Sequence, residues 1–344
     1  MKCNLVDSYY KINLRPLISC HKKLSLNSRS DIKTYTKNTL GLLYLITANY
    51  IASYLLQNMK TSKNKKTLKI KKNSTRRNKR SSGIEKEICT RRPNEKYQIG
   101  TSGFMVSQNI WFKLDCLNCI EINSSFYRLP SKETIEKWRN FPENVGVTIK
   151  ASKYITHIKR LHDVEEGWKI LWNSIEPLGS KLQAILFQLP PSFTYNDENM
   201  KRIMKMHKYI PTHLNIVFEF RDISWFTKDV YDNFKKMGWC IAGTYIIKQT
   251  GSSWMGTMPA GLKLPPRTSS FNYLRIHGNR GYKGSLDSNQ LKDIKQKMDK
   301  QGGDKSFVMF NNAFFDPRSN FCTVNKYKIR YAAVCNAVEY SSLL

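Results

Sequence analysis

Several familiar chemistries are missing from this chain. No Gly-x-Ser-x-Gly elbow occurs, so the hydrolase route through a Ser/His/Asp nucleophile has no sequence support. No P-loop and no Gly-x-Gly-x-x-Gly follows a strand-like run, which removes the usual phosphate cradles of nucleotide cofactors. Cys116 and Cys119 have the spacing of half a zinc site, but no second Cys or His pair accompanies them. The eight cysteines are scattered. Cys119, Cys240 and Cys335 read as small packed residues, and the usage suggests a reducing, intracellular compartment, cytoplasmic or nuclear. Long hydrophobic runs are also scarce. Leu40–Leu56 reaches the length of a bilayer span marginally, and Thr47, Asn49, Ser53 and three tyrosines dilute it. No small-x-small cleavage site stands in a convincing place after it. Three readings stay open there: a membrane anchor at 40–57 with the following domain on the cytoplasmic side, no anchor, or a true start at Met59.

Negative charge is short. Against 57 Lys+Arg stand 26 Asp+Glu, a net of +31. The excess is uneven, with residues 1–95 carrying 22 basic and 5 acidic residues. Lys60–Arg92 has 14 basic residues, Glu85 and Glu87, and no large aromatic, so it cannot bury enough surface to fold. The expectation is a basic, mostly disordered extension over 1–95. Its cluster Thr75–Arg80 suits a nuclear address, a nucleic-acid contact or a solvated tether.

From residue 96 the character changes. Four runs put polar residues two apart with Ile or Phe between them: Glu121-Ile122-Asn123, Thr148-Ile149-Lys150, Glu219-Phe220-Arg221 and Arg275-Ile276-His277. On a strand, residues i and i+2 share a face. Eight strands are expected: Tyr97–Gly100, Cys119–Asn123, Val145–Lys150, Ala184–Gln188, Ile216–Phe220, Trp239–Ala242, Tyr273–His277 and Phe307–Phe310. Helical spacing falls between most of them. Ser131, Asp163, Thr227 and Asp287 are the expected N-caps, Gly238 a C-cap, Asn199–His207 a helix and Lys326–Tyr340 the last one. Val106–Leu117 is a short first helix, and Thr244–Ser270 a long rim loop. Strands alternating with helices give an α/β fold, a TIM-type (β/α)8 barrel over 96–344, with an open doubly wound sheet as the alternative.

The quoted motifs resemble a known family. Gly100–Gly103, Ile120–Pro130, Lys150-Ala151-Ser152 with Ile155-Thr156-His157, Phe187–Pro191, Phe218–Arg221 with Ser224-Trp225, Arg275–Gly278 with Tyr282 and Gly284, and Phe310-Asn311-Asn312 together resemble the YecE-like family, domain-of-unknown-function family 72, from about residue 97 to 340. The resemblance implies a TIM-barrel-like fold and carries over no activity. The chain departs from the family pattern in a shorter stretch at Phe104–Cys119, implying a more open pocket. It also has Ala242-Gly243-Thr244 where the family tends to place an Asp.

In a barrel, the ends of these strands form the active rim. Glu121, Glu219 and His277 are the candidate acid–base groups. Ser102, Asn123, Tyr127, Lys150, His157, Gln188, Arg221, Trp225, Arg275, Asn311 and Asn312 are the candidate substrate-binding groups, with the cations suited to phosphate or carboxylate. Gly278 and Gly281–Gly284 offer backbone donors. Glu121, Glu219 and His277 could instead bind a divalent metal, but three neighbouring cations already balance the carboxylates, so no metal or other cofactor is expected. A purely structural ion-pair network is the bland alternative. The leading function is an enzyme on a phosphorylated or anionic small molecule, of hydrolase or lyase/isomerase type. The rival is a nucleic-acid-binding or nuclease-like protein using Lys60–Arg92 and the rim. A membrane contact would run through Leu40–Leu56, and the oligomeric state is left open.

Overall fold

The computed structural model describes residues 84–86, 89, 93, 95–247, 255–279, 282–315 and 320–344. The anchor candidate 40–57, the cluster at 75–80 and most of 60–92 lie outside the described residues. Thirteen strands and seven α-helices are described.

Ten strands form one sheet in the order β7-β6-β5-β4-β3-β2-β11-β10-β8-β9. They are β2 (Tyr97–Ser102), β3 (Cys119–Ile122), β4 (Gly146–Lys150), β5 (Leu182–Gln188), β6 (Ile216–Glu219), β7 (Cys240–Ile241), β8 (Gly243–Ile246), β9 (Gly261–Lys263), β10 (Phe271–His277) and β11 (Lys305–Asn311). All pairings are parallel except the β8–β9 hairpin. The sheet is strongly curled. Neighbouring strands lie about 4.8 Å apart, so in a flat sheet β4 and β10, four steps apart, would be separated by about 19 Å. Yet Thr148 on β4 and Tyr273 on β10 meet hydroxyl to hydroxyl at 3.2 Å.

The curl splits the core in two, as strand alternation requires. Inward residues such as Cys119, Leu186, Val217, Tyr273 and Met309 pack together inside the sheet. Outward Ile120, Ile149, Phe187, Phe218 and Ile276 pack under the helices. The helices are α1 (Gln108–Trp111), α2 (Lys132–Arg139), α3 (Glu165–Ile175), α4 (Asp197–His207), α5 (Lys228–Met237), α6 (Ser288–Gln301) and α7 (Ala332–Ser341). Ser131 caps α2 by accepting from the Thr134 N–H, and Asp287 and Gln290 form a capping box on α6. Gly238 ends α5 at φ 68°, a conformation that costs glycine little.

Three expectations change. Asp163 does not cap α3; Val164 holds that position, and Asp163 sits at φ 47° and pairs with Lys205 at 2.8 Å. The last helix starts at Ala332 rather than Lys326, because Tyr327–Ile329 (β13) pairs antiparallel with β12 (Cys322–Val324). Within Thr244–Ser270, β8 and β9 form a hairpin where only loop was expected. β12 also pairs in parallel with β1 (Ile84–Lys86), and Cys89 is bonded to Cys116.

The second disulfide joins Cys322 to Cys335, so Cys335 is a cross-link rather than a packed thiol. Cys119 and Cys240 are free and buried. With two disulfides present, the cysteine count carries no argument for a reducing compartment. No helix among the described residues is long and apolar enough to cross a membrane.

Candidate functional site

A cavity of about 560 Å³ opens at the C-terminal ends of the parallel strands. Asn123, Lys150, Gln188, Arg221, Arg275 and Asn311 come to it from the ends of β3, β4, β5, β6, β10 and β11, and Tyr127, Lys153, His157 and Tyr282 from the loops beyond. Side chains two apart on one strand reach different depths. Asn123 stands at the cavity, while Glu121 lies fully buried beneath it.

Beneath the cavity runs a closed charge network. Arg275 grips Glu121 with both arms of its fork, Nε to Oε2 at 3.0 Å and Nη2 to Oε1 at 2.6 Å. Its third nitrogen, Nη1, pairs with Glu219. Tyr273 donates to Glu121 at 2.8 Å. Glu219 also accepts from Arg221 at 2.8 Å and meets His277 Nε2 at 2.9 Å. Two carboxylates and two guanidiniums, all buried, therefore balance one another, where any one alone would be expensive. Burial opposes charge on Glu121, but Arg275 overcomes it and holds the carboxyl below its usual range. Glu219 ends well below its usual range, because Arg221 and Arg275 together outweigh burial. Arg275 is held above its ordinary value against its own burial by the two carboxylates.

His277 is different. Burial pushes its pKa down to about 4 although Glu219 pulls the other way. It is neutral at pH 7, with Nε2–H donating to Glu219 and Nδ1 facing the Asn311 amide at 3.3 Å. In this tautomer the single ring proton of His277 is engaged with Glu219, and the ring lies beneath the cavity rather than on its wall.

Lys150 stands perturbed at the cavity wall. Its ammonium lies 4.2 Å from the centre of the Phe126 ring. Burial first, and then the charge of Arg275, bring its pKa down to about 7. His157 is lowered to about 4 by burial and then by Lys150. Thr156 gives its only hydroxyl proton to the Ser152 carbonyl at 3.0 Å. The 2.9 Å contact between Thr156 Oγ1 and His157 Nδ1 is therefore donated by the histidine, leaving Nε2 as an acceptor.

Arg221 is steadied from above by Met255, whose sulfur accepts from Nη1 at 2.7 Å. Gly256 permits that approach, since a Cβ there would lie 2.0 Å from the Arg221 carbonyl oxygen. Asn123 Oδ1 is buried without a hydrogen-bond partner among the described residues.

Three sequence candidates are elsewhere. Trp225 is fully buried, stacked on Phe220 at 4.2 Å and on Phe193 at 5.4 Å, with its N–H on the Phe193 carbonyl. Asn312 points away from the cavity and donates to the Gly284 carbonyl and to Asn336 of α7. Ser102 is buried at the end of β2 and does not line the cavity. In the glycine turn after β10, the amides of Asn279, Tyr282 and Gly284 donate to carbonyls within and beside the loop, so these three are already engaged. Lys153, Tyr282 and Tyr273 were not picked out as site residues. Tyr273 was within reach of the i, i+2 rule from Arg275. Among the described residues no group of three or more His, Cys, Asp or Glu is placed to hold a metal ion. Arg275 lies between Glu121 and Glu219, the carboxylates that a metal would have needed.

The family model described as "Protein of unknown function DUF72" matches residues 112–319. The chain belongs to the DUF72 family. Solved DUF72 family proteins share the fold. One from Enterococcus faecalis V583 is 20% identical with a TM-score of 0.56, covering 72% of this chain and 96% of that one. Another from Thermotoga maritima MSB8 is 20% identical with a TM-score of 0.57, covering 72% and 98%. No curated protein matches at a significant level. This DUF72 chain thus has the family's curled α/β fold, and its site must be read from its own residues.

Proposed function

We propose that the sheet closes as an eight-stranded (β/α)8 barrel and that the cavity at its C-terminal rim is the active site of an enzyme. Support for closure comes from Ala242: the residue before it pairs through β7 with β6, and the residues after it pair through β8 with β10. One chain segment thereby belongs to both ends of the sheet order.

The substrate is a phosphorylated or otherwise anionic small molecule, and the chemistry is proton transfer. The observation that carries this is Lys150, an amine with pKa about 7 on a cavity wall where Lys153, Arg221 and Arg275 stand and no described carboxylate does. An acid–base group is most effective when its pKa matches the working pH. Arg221 and Arg275 hold the anion, and Asn123, Gln188 and Asn311 orient its hydroxyl or carbonyl groups. Glu121, Glu219 and His277 serve beneath as positioning groups that fix the two guanidiniums. This is hydrolase or lyase/isomerase chemistry, with Lys150 taking a proton in its neutral form and returning it.

A thermal-shift screen of the full chain tests the reading, using phosphorylated metabolites, sugars, nucleotides, short oligonucleotides and divalent metals. Phosphorylated small molecules are expected to raise the melting temperature, and Lys150→Met to reduce the shift. A shift with oligonucleotides alone, erased by salt, would replace the enzyme with a nucleic-acid binder.

A further inference from the structure

Beside the cavity lies a second depression of about 500 Å³, and the two share Phe126, Tyr127 and Lys153 as a common wall. Its floor is apolar and exposed. Tyr127 is 81% exposed, Ile158 63%, Ile170 49%, Tyr154 47% and Leu129 38%. These are five of the eight large apolar side chains that stand exposed among the described residues, gathered on one surface. Scattered singly they would need no explanation; contiguous and opening into a charged cavity, they mark a binding groove. The groove is built rather than incidental. A Cβ on Gly167 of α3 would come within 3.2 Å of the Tyr154 ring, so the glycine lets that ring lie against the helix.

Charge changes from one depression to the other. The charged groups described at the cavity are all cations, whereas the groove carries Arg128 and Lys153 against Asp163 and Glu166 and has no net charge. A nucleic-acid strand laid along both would carry its next phosphates over a surface with no excess of cations. A molecule with a single anionic group would not.

We infer that the ligand is an amphiphilic anion, with a phosphate or carboxylate head in the cavity and an uncharged alkyl or aryl body over Tyr127, Tyr154 and Ile158. The inference rests on the anion-binding reading of the cavity and adds the class of the substrate. Neither Ile158 nor Ile170 lines the cavity, so each reports on the groove alone.

Calorimetric titration of the full chain with inorganic phosphate, hexyl phosphate and a 5′-phosphorylated hexanucleotide tests it. Hexyl phosphate is expected to bind at least about tenfold tighter than phosphate, which is what burying two methylenes supplies. Ile158→Ser should cut that advantage below about threefold and leave phosphate affinity unchanged, with Ile170→Ser as the second variant if the first folds poorly. Equal binding of the two phosphates, or an advantage that survives both variants, overturns the groove while the cavity reading stands. Binding of neither overturns both. Tighter binding of the hexanucleotide than of hexyl phosphate, indifferent to Ile158→Ser, overturns the amphiphile in favour of a nucleic acid.

Discussion

The two ends of the curled sheet hold cavities of similar size and opposite character. At the N-terminal ends of the strands, about 460 Å³ is lined by Glu95, Gln98, Asn118, Glu143, Lys181 and Lys305. Both signs of charge are present, and the polar groups are satisfied locally. Asn118 closes on the Ile99 N–H and the Tyr97 carbonyl, and Lys181 donates to the Pro142 carbonyl at 2.6 Å and to Glu143 at 3.2 Å. At the C-terminal ends, about 560 Å³ is lined by cations alone among the charged groups described. Volume does not separate the two. A wall whose described charged groups are all cations, and a lysine whose pKa is brought down to about 7, do, and they lie at the C-terminal ends of the strands.

The largest effect should come from beneath the C-terminal cavity. Arg275→Met leaves Glu121 and Glu219 buried without their shared partner, a loss of about 3–5 kcal/mol. Denaturant unfolding of full chains would read it, and a loss near zero would mean the network relaxes or admits water.

His277 comes next. The fold keeps it neutral down to about pH 4, while the unfolded chain protonates it near its ordinary value of 6.5. Its effect is absent above pH 6.5. As pH falls from 6.5 to about 4 the unfolded state gains a proton the native state refuses, so stability drops by about 3 kcal/mol. Carboxylates add their own acid sensitivity, so the measurement is the difference between the native chain and His277→Gln, whose amide can still donate to Glu219. Parallel pH profiles would contradict the neutral-histidine assignment.

The smallest effect is at the other end. Lys181→Gln should cost no more than about 1 kcal/mol and leave anion binding untouched, because its hydrogen bonds are to exposed or half-buried carbonyls. A loss of anion binding there would reverse the comparison between the two ends.

The strands were legible because parallel strands covered by helices need Ile and Phe on their outer face, and the polar pairs mark the other. All eight expected strands are present within a few residues of their ends. The site was legible at the level of which strand ends carry it, and less so residue by residue. Asn311 and Asn312 are neighbours on an extended segment, so they must face opposite ways, and only the first reaches the cavity. That signal was present in the sequence. The fork of Arg275 between Glu121 and Glu219 was not, because it joins β3, β6 and β10 across the curl and no local spacing encodes it. Trp225 and the disulfides are of the same kind. A buried tryptophan and a stacking platform read alike until the partners are in place, and cysteine pairing does not follow from spacing.

The most direct test of the account is the affinity of inorganic sulfate, a dianion whose own charge does not change between pH 6 and 9, for the full chain over that range, with and without Lys150→Met. Protonated Lys150 adds to the charge holding the anion, and the protein loses that charge as pH rises through about 7. The account predicts affinity falling through that midpoint in the native chain, and a weaker affinity free of that midpoint in Lys150→Met. An affinity and pH profile unchanged by Lys150→Met would contradict it.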